Sequence, residues 1–424
     1  MNANVETPAR IVHAVAALGP GNLTAEGIRQ HIVPLFSRVL GANRNCAYLA
    51  NHSLGRPLDA TADDLAQAIG LWQSKLGDAW DDWLAEIGDY RARLAQLLGA
   101  PRADCVVPKT SAGQGLRAIL NTYDKVPRVV ATRGEFDSID LILRQYARRG
   151  RIALHVIEAN DSGLFDAADL LAAVRQADLV VISQVAFHTG QVLPELPALI
   201  AAAHAAGARA LVDVYHSLGV FPVDVTALDV DFAIGGSYKY LRGGPGAGYL
   251  YLHPRHLDGS LSTLDVGWFG KKEPFAYQRP DPPQFGEGGD AFLESTPPVM
   301  TCYQARAGQV FTEAIGVQRL REYSLAQQRR LVSALAERGI GATGGSADYG
   351  AFIVVTCEGD DASRAARRGV EALAVRGVIA DARGARIRLC PDVLTTTDEL
   401  DLAARAVADE IPPRPVAARR QQGG

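Results

Sequence analysis

Lysine is scarce in this chain. Of its 43 basic residues only six are lysine: Lys75, Lys109, Lys125, Lys239, Lys271 and Lys272. Arginine therefore carries most of the solvated positive charge, and a lysine set among glycines stands out. Cysteine is scarce too. Cys46, Cys105, Cys302, Cys357 and Cys390 are scattered, odd in number and without a C-x-x-C pair. That argues against a disulfide framework and a zinc site, and fits a reducing compartment. No run approaches the ~18 apolar residues of a membrane span. The opening "MNANVETPARIVHAVAALGPG" lacks a basic region ahead of its short apolar stretch, unlike a secretory signal. A dominant charge is also missing: the net charge of −4 gives no electrostatic footing for nucleic acid or an anionic membrane. These absences point to a cytoplasmic protein that binds neither nucleic acid nor membrane.

What is present is the material of a globular α/β protein. A chain of 424 residues exceeds the size at which one core keeps growing, so two domains are expected. Short apolar runs recur between about 128 and 252: "RVVATR", "RIALHVIE", "DLVVISQV", "RALVDVYH", "DFAIGG" and "AGYLYL". Helical patterns such as "SIDLILRQYARRG" and "LPALIAAAHAAG" separate several of them, each closed by a glycine suited to the residue after a helix end. Strands this apolar predict burial on both faces, hence a mostly parallel sheet covered by helices. The Pro- and Gly-rich stretch 267–289 predicts a long functional loop. Beyond Thr301, long helical patterns and two further strand runs predict a smaller α/β domain.

One lysine lies inside "GGSYKYLRGGPGAGYLYL" (235–252). Lys239 follows a predicted strand and precedes glycines that permit close backbone approach. A neutral lysine amine forms a Schiff base with an aldehyde, and burial favours the neutral form. Alone, such a lysine is more often a surface residue. Asp213 adds to the case. It lies at the end of the apolar run "ALVD", where open α/β sheets place their ligands, and a buried carboxylate needs a cationic or hydrogen-bonding partner. A pyridinium nitrogen is one such partner; an arginine or a cap is the alternative.

With these residues in view, the run from Val212 to Leu252 resembles the class V aminotransferase group of pyridoxal-phosphate enzymes, and within it the kynureninases. Their pattern here is close to D-x-x-H-S-x-G followed by G-x-x-Y-K-Y-L-N-x-G-P-G. Other segments match in order: "AYLANHSLGRP" (47–57), "TSAGQGL" (110–116), "GWFG" (267–270), "STPP" (295–298) and "RIRLCPDVL" (386–394). The resemblance implies a fold type I enzyme with a seven-stranded sheet. The large domain would span 61–305 and the small domain 306–412, with segment 1–60 packing on the small domain and a disordered tail at 413–424. It further implies a homodimer with shared active sites, acting on a small amino-acid substrate.

Residue by residue, the resemblance implies that Lys239 holds pyridoxal 5′-phosphate covalently and then shuttles the Cα proton, with Tyr238 beside it. Asp213 would pair with the pyridine nitrogen, and His216 would order that carboxylate. Phe136 would stack on the ring. Ser111 and Ala112 would contact the phosphate at a helix start, a natural anion site. Tyr238, Trp268 and Thr296 would also reach the phosphate, the last two from the neighbouring subunit. Arg388 would clamp the substrate α-carboxylate, a task suited to a bidentate donor. Strand alternation puts Arg386 on the same face, so Arg386 and Arg383 compete with Arg388, and only family register selects the latter. Phe136 and Trp268 as core aromatics, and His216 as a satisfied buried histidine, are the plainer alternatives.

Several positions depart from the family pattern. Its Asp-Gly-Asn in the first motif is Ala50-Asn51-His52 here, which makes His52 a substrate-side candidate. The asparagine after Y-K-Y-L is Arg242, and the histidine of G-W-x-G-H is Lys271. The family aspartate three residues past the stacking aromatic is Ile139, with Asp140 one further on. Cofactor positions are kept while substrate positions differ. The implied activity is hydrolytic Cβ–Cγ cleavage of kynurenine or 3-hydroxykynurenine, or the chemistry of a diverged relative on another amino acid. A cysteine desulfurase is disfavoured, because Cys357 and Cys390 fall in predicted strands rather than a mobile loop.

Overall fold

The structure is a computed structural model and describes residues 3–411. The tail 413–424, expected to be disordered, lies outside the described residues.

Seven strands form the central sheet: β1 (Val106–Lys109), β2 (Arg128–Thr132), β3 (Ala153–Ile157), β4 (Leu179–Ser183), β5 (Arg209–Asp213), β6 (Phe232–Gly236) and β7 (Gly248–Leu252). Across the sheet they run β1-β7-β6-β5-β4-β2-β3. Strands β3, β2, β4, β5 and β6 pair in parallel, and β7 is antiparallel to both β6 and β1. Parallel neighbours require crossover connections; the helices Asp137–Arg148, Ala167–Val174 and Leu196–Ala205 supply those leading into β3, β4 and β5, and turns over 214–231 link β5 to β6. All six predicted strands are present.

The seventh strand, β1, was not marked by the apolar pattern. Its sequence "VVPK" carries Pro108, tolerable because β1 is an edge strand paired only with β7. The prediction of burial on both faces holds for the inner strands and fails for β3. That strand alternates exposed and half-buried residues, since it forms the opposite edge.

Alternation along the inner strands builds two apolar layers. Val130, Val180, Val212 and Ala233 pack into one cluster with Tyr90 and Leu94. Val129, Val181, Leu211 and Phe232 pack into another with Leu116 and Leu143. A second, antiparallel sheet joins Asp381–Arg383, Arg386–Leu389 and Ile353–Thr356. Its core includes Leu331, Val355, Leu373, Ile387 and Leu400. The early segment enters this core: Ala47–Tyr48 pairs in parallel with Val378–Ile379, and Leu49 is fully buried there, worth about 1.5–3 kcal/mol. The final helix, Thr397–Glu410, opens with a reciprocal Thr396–Glu399 capping box.

Segment 267–289 contains short 3₁₀ turns at Trp268–Gly270 and Pro274–Ala276, runs into a third at Gly288–Phe292, and is otherwise irregular, as its composition predicts. Among the described residues no helix is long and apolar enough to cross a membrane.

Candidate functional site

Thr132, Ser183 and Asp213 end β2, β4 and β5, so the carboxyl edge of the parallel strands lies beside the turn that follows β6. A cavity of about 500 Å³ opens there. It is lined by seven of the residues singled out from the sequence: Ser111, Ala112, Phe136, Asp213, His216, Tyr238 and Lys239.

Each is placed by its local chain. Ser111 caps the helix Ala112–Leu120, its hydroxyl accepting from the Gln114 amide, and leaves the first-turn amides without intrahelical acceptors. Phe136 ends the connection from β2 and precedes the helix Asp137–Arg148. Lys239 lies in the tight turn after β6. Gly55 meets that turn from the early segment, its N–H donating to the Tyr238 carbonyl at 2.9 Å. A Cβ at Gly55 would stand 1.9 Å from the Lys239 carbonyl oxygen, so only glycine fits.

The Lys239 side chain is buried among rings. Its Nζ lies 4.7 Å from the Tyr215 centroid, 5.3 Å from Phe136 and 5.6 Å from Tyr238. Burial pushes the amine well below the usual lysine range; the Asp213 charge opposes this, and the guanidinium charges of Arg388 and Arg383 add to it. Burial likewise raises the Asp213 carboxyl, against the Tyr215 N–H bond at 2.8 Å and the charge of Lys239. A desolvated amine and a desolvated carboxylate thus stand in one cavity, each holding the other nearer its charged form.

His216 differs from expectation. It was to order Asp213, but its Nε2 stands 2.8 Å from Lys239 Nζ and its Nδ1 3.1 Å from the Tyr240 hydroxyl. Burial, then the Lys239 and Arg388 charges, hold it well below the ordinary histidine range. A neutral ring accepts at Nε2 and donates from Nδ1. Asp213 takes its hydrogen bond from the Tyr215 backbone instead.

Arg388, His52, Trp268 and Thr296 do not line the cavity. Arg388 is 3% exposed. It donates from Nε and Nη2 to the two Asp381 oxygens at 2.8 and 2.5 Å, and from Nη1 to the Phe187 carbonyl at 2.5 Å. Phe187 is a cavity wall, so Arg388 stands directly behind it. His52, expected on the substrate side, is fully enclosed and pairs with Asp381 at 2.8 Å, beside the Ser53 hydroxyl at 2.7 Å. It therefore contacts Arg388's partner and not the cavity. Arg386 reaches the Ser162 carbonyl at 3.4 Å, while Arg383 is exposed. Trp268 is 39% exposed and its indole N–H donates to the Thr296 hydroxyl at 3.3 Å. The two meet each other away from Lys239.

Two departures from the family pattern also find places. Arg242 is buried with φ of +55°. Its guanidinium carbon lies 5.8 and 5.6 Å from the Phe36 and Phe311 rings, and Nη1 is 3.2 Å from Asp392, which also binds Arg56. Asp140 sits on the helix surface and pairs with Arg144, so it does not replace the family aspartate, while Ile139 is a cavity wall. The sequence pattern did not mark Asp381, Tyr215, Phe187 or Glu135. The pairing of Asp381 with Arg388 follows from the tight hairpin "DARGAR", the one signal that could have revealed it.

The donor set fits pyridoxal phosphate: a buried amine for the aldehyde, a carboxylate for the ring nitrogen, a flanking aromatic and a capped helix start for an anion.

Comparison with known proteins agrees. Residues 56–361 match the family described as aminotransferase class V. Curated relatives include a protein named kynureninase from Burkholderia pseudomallei, 31% identical over 80% of this chain and 82% of the relative. Another kynureninase, from Deinococcus radiodurans, is 30% identical over 69% of this chain and 72% of its own length. Among solved structures, a C-DES variant with glycine covalently linked to its PLP cofactor superposes with a TM-score of 0.77. It is 20% identical and covers 88% of this chain and 99% of its own. A cysteine desulfurase from Thermococcus onnurineus NA1 gives 0.76 at 18% identity, covering 87% and 95%. At those identities the likeness concerns the fold. From its ordered motifs, its sheet and these relatives, the chain belongs to the class V aminotransferase family of pyridoxal-phosphate-dependent enzymes.

Proposed function

We propose that this enzyme hydrolyses the Cβ–Cγ bond of kynurenine or 3-hydroxykynurenine, releasing alanine and anthranilate or 3-hydroxyanthranilate. The observation that carries the proposal is the likeness to kynureninases across four-fifths of the chain. The apolar walls Phe136, Ile139, Val185 and Phe187 support it, as an aryl-keto side chain suits them. When bound, pyridoxal phosphate supplies an electron sink for the Cα–H bond.

The chain's own residues supply the rest. Lys239 would anchor the cofactor and move the substrate's Cα proton, with an amine that burial holds well below the usual lysine range. Asp213 would hold the ring nitrogen, Phe136 would face the ring, and Ser111 and Ala112 would receive the phosphate, all four lining the one cavity. Arg388, held by Asp381 behind Phe187, would reach the α-carboxylate by giving up its bond to the Phe187 carbonyl. Trp268 and Thr296, which do not line the Lys239 cavity of their own chain, would complete the phosphate site of a second copy in a homodimer. The large domain is taken as 61–305 and the small as 306–412.

A second possibility is another class V reaction on a different amino acid. The Asp381 clamp on Arg388 and the placement of His52 behind it favour this one. Cysteine desulfuration is less suited, because Cys357 and Cys390 are buried.

Purified protein incubated with kynurenine and 3-hydroxykynurenine, with alanine and fluorescent anthranilate followed, tests the proposal. Turnover supports it. Cofactor-loaded protein with no turnover rejects it in favour of the second. Loss of the visible cofactor band in Lys239→Ala tests the anchor.

A further inference from the structure

One buried carboxylate has no part in the scheme above. Glu135 lies between β2 and the helix Asp137–Arg148 and is 3% exposed. Glutamate is rarely buried without a partner, yet among the described residues Glu135 makes no ion pair. Three neutral donors hold it instead. The Thr132 hydroxyl donates to Oε1 at 2.6 Å, the Ser183 amide to Oε1 at 3.2 Å, and the Ser183 hydroxyl to Oε2 at 2.6 Å. Thr132 also accepts from the Gly134 amide at 3.2 Å.

Thr132 ends β2 and Ser183 ends β4, and these strands are neighbours. The carboxylate therefore bridges two strand ends and the turn between Thr132 and Phe136. The next residue, Phe136, is a cavity wall whose ring meets Phe187 edge-on at 5.4 Å. No side chain caps the helix that Phe136 introduces; the Arg133 N–H ties the start of the turn to the Ile157 carbonyl at 2.8 Å, and the Glu135 side chain ties its end to β2 and β4.

We propose that Glu135 is a positioning residue of the cofactor site: it clamps the turn before Phe136 to the ends of β2 and β4, and so fixes the aromatic wall. The proposal rests on the placement of Phe136 against the cofactor ring given above. Burial, with a smaller contribution from the Asp213 charge, raises the Glu135 carboxyl to about 7 against the Ser183 and Thr132 hydrogen bonds. The hydroxyls reorient to suit either state, so the clamp survives both.

The test uses apo protein titrated with pyridoxal phosphate. Fluorescence quenching gives the affinity, and the induced circular dichroism of the cofactor band reports ring orientation. Glu135→Ala weakens affinity about tenfold or more and diminishes the dichroism, as expected for losing buried hydrogen bonds. Glu135→Gln keeps an acceptor for Thr132 and the Ser183 amide, and stays within about threefold of wild type. Thr132→Val removes a bond to Glu135 at a residue outside the cavity lining, and weakens affinity about threefold or more. Wild-type affinity and dichroism in both Glu135→Ala and Thr132→Val overturn the proposal, as does a Gln variant as impaired as the Ala variant. If the Ala variant does not fold, comparing Thr132→Val with Glu135→Gln decides. Wild-type protein that takes up no cofactor overturns the site itself, which is a distinct result from variants matching a site that fills.

Discussion

Asp381 and Arg388 are the most informative pair to break, because the two halves predict unequal losses of stability and opposite shifts at His52. Arg388 is 3% and Asp381 22% exposed. Two charges about 4 Å apart attract by ~4 kcal/mol at an effective dielectric near 20. Removing one partner of a buried pair costs about 3–5 kcal/mol, chiefly because the other charge is stranded. In Asp381→Asn the stranded group is the deeply buried guanidinium, left with an amide oxygen and the Phe187 carbonyl, so a loss of about 3 kcal/mol is expected. In Arg388→Ala the remaining carboxylate keeps His52 and Ser53 and some solvent, so about 1–2 kcal/mol is expected. A double-mutant cycle by chemical unfolding of the apo protein should give a coupling of about 1–3 kcal/mol.

His52 reports the same pair independently. Burial holds its pKa down at about 4, the Asp381 hydrogen bond raises it and the Arg388 charge lowers it. Arg388→Ala should therefore raise the His52 value, and Asp381→Asn should lower it further, both measured by NMR titration. Acid supplies a third check. Burial pushes the Asp381 carboxyl up, but His52 and Arg388 outweigh it and hold it far below its ordinary value. A depressed carboxylate stabilises above its unfolded pKa of about 3.9 and loses that contribution as pH falls. Wild type and Asp381→Asn should converge in stability on acidification. Additive energies, or His52 moving the same way in both variants, would refute the coupling.

Other outcomes follow from single contacts. Asp213→Asn removes the charge that props up the Lys239 amine, so the lysine becomes still less basic and equilibrium dialysis should show pyridoxal phosphate held about tenfold more weakly or worse. Gly55→Ala drives a methyl against the Lys239 carbonyl, and thermal melts should show a loss of about 1–3 kcal/mol. Asp231 is raised by burial but drawn down to about 2 by His256, the Ala210 amide and His204. Its contribution is present above about pH 4 and lost as pH falls toward 2, so Asp231→Asn should flatten the acid-unfolding profile over that window.

The sequence made the inner strands, the crossover helices and the lysine–aspartate pair legible because each rests on local signals: apolar runs, terminal glycines, and a carboxylate at a strand end. The edges were less so. In β1 the run is short and interrupted by Pro108, and in β3 the pattern alternates, since one side has no neighbour to cover it. Side chains recruited across long separations were the least legible. The partners of His52 lie more than 300 residues away, and His216 turned toward Lys239 and Tyr240 because the fold, not the motif, sets its neighbours. Glu135 carries no local signal either, since its partners Thr132 and Ser183 meet it only once two strand ends come together.

Arg242 carries a lesson for how such a chain diverges. It stands where kynureninases have asparagine, but it faces Phe36, Phe311 and Asp392 rather than the cavity. Reverting it alone would not hand back a substrate contact; it would leave Asp392 with Arg56 as its one guanidinium partner and open a hole between two rings. Positions 36, 242, 311 and 392 should therefore drift as a set among close relatives. A transplant of family residues into this scaffold should move them as one block, because these four side chains form one packed joint.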